Sequence, residues 1–297
     1  MTESLIGKGR EAIDWLLDSG SFRENLVAGE RFPADLGPGA VVGSGLLDGQ
    51  EVTVLANDAQ AINEKFPVVY FGVIGLEEAY KMALAVYAVR EADRKKPASQ
   101  KRPLLLLVDT PGNAPGKLEE IAGMNKATGA YQLALAEARM AGHPVIAVVI
   151  GRAISGAFLC HGLQADRILA MNPGFGTMIH VMPVSSISRI TKLDIEQLEA
   201  LSKTNPVFAA GADFFYRLGG VEEIIDSVEE IRPRVIRQIG EVREQKAEGK
   251  TGPMGRAALG NERGGRVWRS RVIRKMEEEY AEIADSYRPW RKEAYGR

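Results

Sequence analysis

Two uninterrupted apolar runs most constrain how this chain folds. Residues 103–108 read PLLLLV and residues 145–150 read VIAVVI, without one polar side chain in either run. Continuous apolar runs of this length are typical of strands that are buried on both faces of a parallel sheet. A sheet of that kind needs helices on both sides, and a helical pattern follows each run. The sequence therefore predicts an α/β fold with right-handed crossovers between parallel strands.

The other predicted elements fit this arrangement. Asp48-Gly49 indicates a hairpin between strands at Ala40–Leu47 and Glu51–Ala56. An amphipathic helix is expected over residues 5–17 and a charged helix over Trp268–Tyr287. Further strands are predicted at Val68–Ile74, Arg167–Met171, Thr177–Val181 and Val221–Ile225, and further helices at Leu76–Lys95, Leu118–Met140, from about Ser155, at Asp194–Lys203 and at Ala212–Leu218.

We divide the chain into three segments on this pattern. Residues 1–37 are expected to form an amino-terminal helical segment, residues 38–230 the α/β domain, and residues 231–297 a charged, helical carboxy-terminal arm. The last segment is set apart by its many Arg, Glu and Lys residues.

Composition excludes several classes of function. A formal net charge of −1 over 297 residues gives no overall attraction to nucleic acid. The single cysteine, Cys160, cannot form an internal disulfide, and three scattered histidines give no metal-ligand cluster. The amino terminus does not resemble a signal peptide, and no apolar stretch is long enough to span a bilayer. A cytoplasmic protein without a metal site is expected.

Two glycine-containing segments follow the two buried strands and precede helices. They are Asp109–Gly116, with the sequence DTPGNAPG, and Gly151–Phe158, with the sequence GRAISGAF. Glycine lets the backbone approach a ligand closely, and the first N–H groups of a helix have no intrahelical acceptor. Such loops form oxyanion holes, which stabilise a negative oxygen. The simpler interpretation of each segment is a tight turn between strand and helix, with Ser155 capping the helix.

Both segments resemble loops of the carboxyltransferase branch of the crotonase superfamily. The first is similar to its D-x-P-G-x-x-P-G loop and the second to its G-x-A-x-G-G-A-Y-type loop. GRAISGAFLCHGLQADRILAM and SRITKLDIEQLEALSKTNPVFAAGADFFYRLGGVEE resemble the gamma subunit of malonate decarboxylases, over roughly residues 100–225. One departure is Ser155, which stands where the family often has the first of two glycines.

The resemblance implies a crotonase-like ββα superhelix that acts on malonyl-S-acyl-carrier-protein and yields acetyl-S-acyl-carrier-protein. The carboxyl group would pass to biotin on a carrier protein, or leave as CO₂ in the biotin-independent form. The amino-terminal helix and the long arm favour the biotin-dependent form. No cofactor is expected on this chain itself. Its expected partners are a second subunit of similar fold, an acyl carrier protein and a biotin carrier protein.

The site residues follow from the two loops. The proposed backbone oxyanion donors are Gly112, Asn113, Ser155, Gly156 and Ala157. The proposed substrate-binding residues are Asp109, Pro111, Gly116, Gly151 and Arg152.

Alternative functions remain open at this point. GRAISGAFL and TMIHV resemble the nucleophile and histidine stretches of Clp-type serine peptidases, in which Ser155 would attack and His180 would be its base, oriented by Asp213 or Asp226. A non-catalytic supporting subunit is a second alternative. An acyl-CoA hydratase would need two glutamates at the loops, and the nearest pair, Glu119 and Glu120, is expected at an exposed helix start.

Three other features have ordinary structural interpretations. His161 is expected to pack or cap, and Cys160 to lie in the core. The basic run at Arg263, Arg266, Arg269, Arg271, Arg274 and Lys275 suits either an acidic acyl carrier protein or a solvated or intersubunit helix, and the latter is favoured.

Overall fold

The computed structural model describes residues 3–182, 184–204 and 211–295. Its strands are β1 (Arg23–Glu24), β2 (Leu26–Val27), β3 (Glu30–Arg31), β4 (Ala40–Leu47), β5 (Gln50–Asn57), β6 (Leu104–Thr110), β7 (Val145–Ile154), β8 (Arg167–Met171), β9 (Met178–His180) and β10 (Glu223–Ile225). Its helices are α1 (Gly9–Leu16), α2 (Leu76–Ala92), α3 (Lys117–Ala122), α4 (Met124–Met140), α5 (Ser155–Cys160), α6 (Val184–Thr191), α7 (Ile195–Thr204), α8 (Ala212–Arg217), α9 (Ile231–Gln245), α10 (Gly252–Glu262) and α11 (Val267–Tyr295).

One mixed sheet organises the chain, with the order β1-β4-β5-β6-β7-β8-β10. The hairpin β4–β5 is antiparallel, as its Asp-Gly turn predicts, and β5, β6, β7, β8 and β10 run parallel to one another. The short strand β9 adds in parallel to the last three residues of β7. The predicted α/β fold with parallel strands is therefore confirmed.

The two faces of β6 pack against different sets of helices. Leu104, Leu106 and Val108 join an apolar cluster with residues of α2 and α4. Leu105 and Leu107 point the other way, into a cluster with residues of α1 and α9. Alternation along a strand buried on both faces explains why the run has no polar residue. Each leucine buried in this way stabilises the fold by about 1.5–3 kcal/mol.

Two predicted elements differ in the structure. Val68–Ile74 is not a strand, because Phe71 and Gly72 both have positive φ angles, 55° and 84°, which turn the chain. Only single bridges form there, Ile62 with Tyr70 and Ile74 with Asn113. The helix predicted over Leu118–Met140 is divided into α3 and α4 at Gly123, whose φ of 103° is left-handed.

Residues of the predicted amino-terminal segment and of the predicted carboxy-terminal arm both contribute to the core. Ile13 and Leu16 of α1 lie in the same apolar cluster as Val235 and Ile239 of α9. The division at residues 37 and 230 stays a prediction. Within the described residues, no helix is long and apolar enough to cross a membrane; the cytoplasmic location also stays a prediction.

Candidate active site

An irregularity between β6 and β7 shapes the edge of the sheet where the candidate loops lie. Val108 pairs with Val149, but Thr110 pairs with Ala153, so three residues of β7 lie opposite Asp109 alone. A bulge of this kind bends the strand and redirects a side chain. Here it brings Asp109 of β6 and Arg152 of β7 together.

Asp109 and Arg152 form a buried ion pair. Oδ1 of Asp109 accepts from the backbone N–H of Arg152 at 2.9 Å and from its Nε at 2.8 Å, and Oδ2 accepts from Nη2 at 3.0 Å. The side chain of Asp109 is 2% exposed and that of Arg152 5%, so the pair is shielded from water. Gly151 has no room for a side chain, because a Cβ there would lie 2.5 Å from Oδ1 of Asp109.

The same pair also forms hydrogen bonds with Gly7 and Phe71, which are distant from it in the sequence. Oδ2 of Asp109 accepts from the N–H of Gly7 at 2.7 Å. Nη2 of Arg152 donates to the carbonyl of Phe71 at 3.0 Å, and the guanidinium lies over the Phe71 ring, 4.1 Å from its centroid. The two charges thus neutralise each other inside the protein, although Nη1 of Arg152 is buried without a hydrogen-bond partner among the described residues. The ion pair makes both residues positioning residues for the two strand ends.

The first loop is held by Ile74. The N–H of Ile74 donates to the carbonyl of Gly112 at 3.1 Å, and the N–H of Ala114 donates to the carbonyl of Ile74 at 2.9 Å. Because a trans peptide directs its C=O and N–H to opposite sides, the N–H of Asn113 points away from Ile74. The N–H of Gly112 has a long contact, 3.3 Å, with Oγ1 of Thr110.

The second loop is a sharp turn from β7 into α5. Ser155 has a φ of +56°, a left-handed conformation that favours glycine. This explains why the related loops often carry a glycine there. The helix cap is Ile154 and no side chain caps the helix, so the interpretation of Ser155 as a helix cap was wrong. The first N–H groups of α5, at Ser155, Gly156 and Ala157, have no intrahelical acceptor.

The two loops meet at Asn113 and Gly156. A Cβ placed on Gly156 would lie 3.0 Å from Nδ2 and 3.5 Å from Cγ of Asn113. Oδ1 of Asn113 is buried and has no hydrogen-bond partner among the described residues. The sheet therefore brings residues of the two candidate loops into contact, and the convergence of their backbone donors stays a prediction.

The remaining residues of the first loop are set by packing. Pro111 is half-buried. Gly116 lies directly against the carboxylate of Glu119, which leaves no space for a side chain. Glu119 is 1% exposed, and its Oε1 has no hydrogen-bond partner in the described part of the chain. The prediction that Glu119 lies at an exposed helix start was therefore wrong. Sequence reasoning missed this carboxylate because a glutamate in a first helical turn is usually solvated.

The structure does not form the alternative serine-peptidase site. Nε2 of His180 is buried and lacks a hydrogen-bond partner within the described residues, so it is not bonded to Ser155. The carboxylate of Asp226 instead accepts from Nδ2 of Asn172 at 2.8 Å. Burial lowers the pKa of His180.

His161 and Cys160 are structural, as the sequence indicated. Nδ1 of His161 lies 2.8 Å from the hydroxyl of Tyr131, and its Nε2 lies 3.0 Å from the carbonyl of Leu107. Burial lowers the pKa of His161 to about 4, so the ring is neutral, with Nε2 as the donor and Nδ1 as the acceptor. Burial also raises the pKa of the Cys160 thiol to about 12.

Part of the predicted basic run is used inside the protein. Arg263 donates to the carbonyls of Tyr216, Val221 and Glu222. Arg266 donates to the carbonyl of Leu218. In the described ranges, no group of three or more His, Cys, Asp and Glu residues is arranged to hold a metal ion.

Comparisons with known proteins identify the family of this chain. A family model for the malonate decarboxylase gamma subunit matches residues 71–280. The malonyl-S-ACP:biotin-protein carboxyltransferase MADD of Malonomonas rubra is 60% identical over 287 residues, which cover 95% of this chain and 98% of that relative. A chain of the Pseudomonas malonate decarboxylase hetero-tetramer in complex with coenzyme A is 31% identical, with a TM-score of 0.73, over 91% of this chain and 99% of that chain.

The similarity to a chain of transcarboxylase 12S, solved with hydrolysed methylmalonyl-coenzyme A, is evidence for the fold only. The two chains are 24% identical, with a TM-score of 0.59, over 79% of this chain and 41% of that chain. The fold is that of the crotonase-like carboxyltransferases, as the two loops predicted. Within that class, the chain belongs to the malonate decarboxylase gamma subunit family. Residues 205–210, which lie in the second stretch that carried the resemblance, fall outside the described residues.

Proposed function

We propose that this chain is the carboxyltransferase subunit that removes the carboxyl group from malonyl-S-acyl-carrier-protein and leaves acetyl-S-acyl-carrier-protein. One observation carries the proposal, the meeting of the two strand-to-helix loops at Asn113 and Gly156. Two sets of backbone N–H groups at one place suit a thioester oxygen and a carboxylate, which are the two anionic groups of this reaction.

The chemistry explains why backbone donors suffice. Breaking the bond to the malonyl carboxyl group leaves its electron pair on the thioester as an enolate, with negative charge on oxygen. Cleavage of this bond needs no general base. A donor aimed at that oxygen contributes about 2.7–4 kcal/mol in a site that excludes water. The N–H groups of Ser155, Gly156 and Ala157 at the start of α5 suit this role.

The remaining predicted residues complete the site. Gly112 and Asn113 supply donors from the first loop, while Pro111 and Gly116 shape that loop. Asp109, Gly151 and Arg152 hold the two loops at a fixed separation, because their ion pair joins β6 to β7. Substrate binding by these three is therefore indirect in this proposal.

We further propose that the carboxyl group passes to biotin on a carrier protein. The relative whose match covers 95% of this chain is named a biotin-protein carboxyltransferase. The reaction balances, since the carboxyl group bonds to a biotin nitrogen and the proton from that nitrogen goes to the enolate carbon.

A second carboxyltransferase-like subunit is the proposed partner. Solved relatives include a Pseudomonas malonate decarboxylase hetero-dimer and hetero-tetramers. Helix α11 suits docking, because it exposes apolar side chains at alternating spacings of three and four residues, a pattern that pairs with another helix. These residues are Ile273, Met276, Tyr280, Ile283 and Tyr287.

The direct test is to purify the chain with its partner subunit and supply malonyl-S-acyl-carrier-protein that is isotopically labelled in the free carboxyl group. With a biotinylated carrier protein, label is expected on biotin and acetyl-S-acyl-carrier-protein accumulates. Avidin should block both products. Formation of acetyl-S-acyl-carrier-protein and labelled CO₂ at the same rate with avidin present contradicts the biotin step, and no loss of malonyl-S-acyl-carrier-protein contradicts the proposed function.

A further inference from the structure

A second concave site lies at the opposite edge of the sheet. A cavity of about 600 Å³ opens between the ends of α4, α9 and α10, beside Gly142 and Asp166. These two residues precede β7 and β8, so the cavity lies at the amino ends of the parallel strands. Since β7 is ten residues long, the cavity is roughly 30 Å from the candidate active site. We call it the amino-edge cavity.

The lining of the amino-edge cavity is rich in positive charge. Arg139, Arg243 and Lys246 line it, and Asp166 is its one acidic residue among those that the structure describes. Lys246 neutralises that carboxylate, since its Nζ lies 2.7 Å from Oδ2 of Asp166. Asp166 also accepts from the N–H of Val145 and the hydroxyl of Thr251, both at 3.0 Å, and so is fully occupied.

Two arginines remain without counter-charge. The side chain of Arg139 makes no hydrogen bond or ion pair with any residue in the described ranges, and its Nη1 is buried. Arg243 has only long contacts, each 3.4 Å, with Oε1 of Gln50 and the carbonyl of Lys101, and its Nε is buried without a partner in the described structure. A buried, charged donor without an acceptor is destabilising, and two such groups lining one cavity are available to an anionic ligand.

Arg139 also acts on the pKa values of neighbouring basic groups. Burial lowers the pKa of Lys246, Asp166 opposes that effect, and the nearby Arg139 adds to it. Burial, and next the charge of Arg139, lowers the pKa of Arg256 to about 10. An anion in the cavity would relieve these positive charges.

The mouth of the cavity is apolar. Met140 is 83% exposed and Met254 75%, and both belong to the lining. A cavity of this volume is within the range that holds small organic ligands. Guanidinium groups bind phosphate oxygens in pairs, with shorter and stronger bonds than neutral donors.

We infer that the amino-edge cavity binds a small organic phosphate, with Arg139 and Arg243 on the phosphate oxygens and the methionines against the organic part. The concave shape favours a small molecule over a protein surface.

Isothermal titration calorimetry on the complex of this chain with its partner subunit tests the inference, with inorganic pyrophosphate, ADP and uncharged adenosine as probes. We expect saturable binding of ADP, weaker binding of pyrophosphate and none of adenosine. Arg139→Gln and Arg243→Gln should each weaken ADP binding by roughly 10- to 100-fold. The matched control is Arg31→Gln, at an exposed arginine on β3, and it should leave ADP binding unchanged.

Several results would overturn the inference. They are the absence of saturable binding by both phosphates, an equal loss in Arg31→Gln, and ADP binding that persists in both cavity variants but disappears in Gly156→Ala. Loss of acyl-carrier-protein binding in Arg139→Gln, with no phosphate bound by the unaltered protein, would make the cavity a protein-docking surface instead. Carboxyl transfer and thermal unfolding, measured in parallel, verify that each variant is folded.

Discussion

Asp109 of β6 and Arg152 of β7 form a two-point ion pair at the irregularity where the two strands change register. The guanidinium donates through Nε at 2.8 Å and through Nη2 at 3.0 Å, one bond to each carboxylate oxygen. Because each residue lies at the start of a candidate loop, the pair fixes the distance between the loops. The geometry of the site thus depends on two side chains whose charges neutralise each other.

Replacing one member of this pair should be costly. Asp109→Asn leaves the buried guanidinium of Arg152 without its counter-charge, and such changes cost about 3–5 kcal/mol of unfolding free energy. Asp109→Leu combined with Arg152→Met removes both charges and should recover much of the stability, but not the activity. Urea denaturation and carboxyl transfer measure the two effects. A single variant as stable as the unaltered protein would show that the pair does not hold the loops.

Ser155 should tolerate glycine and alanine but not a β-branched residue. Its φ of +56° is comfortable for glycine, so Ser155→Gly is expected to keep kcat within roughly threefold and to add slight stability. Ser155→Ala should be mild because only the backbone N–H acts, while Ser155→Val should be strained. Steady-state carboxyl transfer is the measurement. An inactive Ser155→Ala enzyme would instead indicate a nucleophilic serine.

Gly156 should be sensitive to size and to loss of its N–H. Gly156→Ala places a methyl group 3.0 Å from Nδ2 of Asn113 and should reduce kcat by displacing the first loop. Gly156→Pro removes a donor, and we expect a loss of roughly 10²–10³-fold in kcat.

The control for Gly156 is Gly129→Ala in α4. A Cβ there meets nothing within 4 Å, and alanine should add about 0.5–1 kcal/mol of stability without changing kcat. If Gly156→Pro keeps full activity in a folded protein, the second loop is not an oxyanion hole.

His161 should make the fold sensitive to acid. Its pKa of about 4 lies below the unfolded value of 6.5, so the unfolded chain binds the proton more readily. Its contribution to stability is complete above pH 6.5 and falls by about 1.4 kcal/mol per pH unit between 6.5 and 4. Urea denaturation from pH 7.5 to 4.5 should show a shallower pH dependence for His161→Phe. If the stability of His161→Phe and that of the unaltered protein fall equally with pH, the acid sensitivity arises from groups other than His161.

The sequence predicts the fold and the meeting of the loops well, because both follow from local pattern. An apolar run such as 103–108 indicates a strand buried on both faces, and the carboxyl ends of neighbouring parallel strands must lie together. The change of register at Asp109 could not be predicted, since it depends on how two distant strands pair. For the same reason, the sequence gives no indication that Arg139, Arg243 and Lys246 line one cavity.

The failed strand at Val68–Ile74 has a different cause. Its apolar residues fit a strand. In the structure, however, Nη2 of Arg152 donates a hydrogen bond to the carbonyl of Phe71, and the chain turns at that residue. A long-range contact thus overrides the local preference.

The central claim is that backbone N–H groups of the two loops bind the reacting oxygens. A crystal structure of the complex with a non-cleavable malonyl-S-acyl-carrier-protein analogue tests it most directly. The quantities to measure are the distances from the thioester carbonyl oxygen to the backbone nitrogens of residues 112–113 and 155–157. The account predicts about 2.7–3.1 Å to at least one of these nitrogens. A carbonyl oxygen held by other groups, with both loops facing away from the ligand, would contradict it.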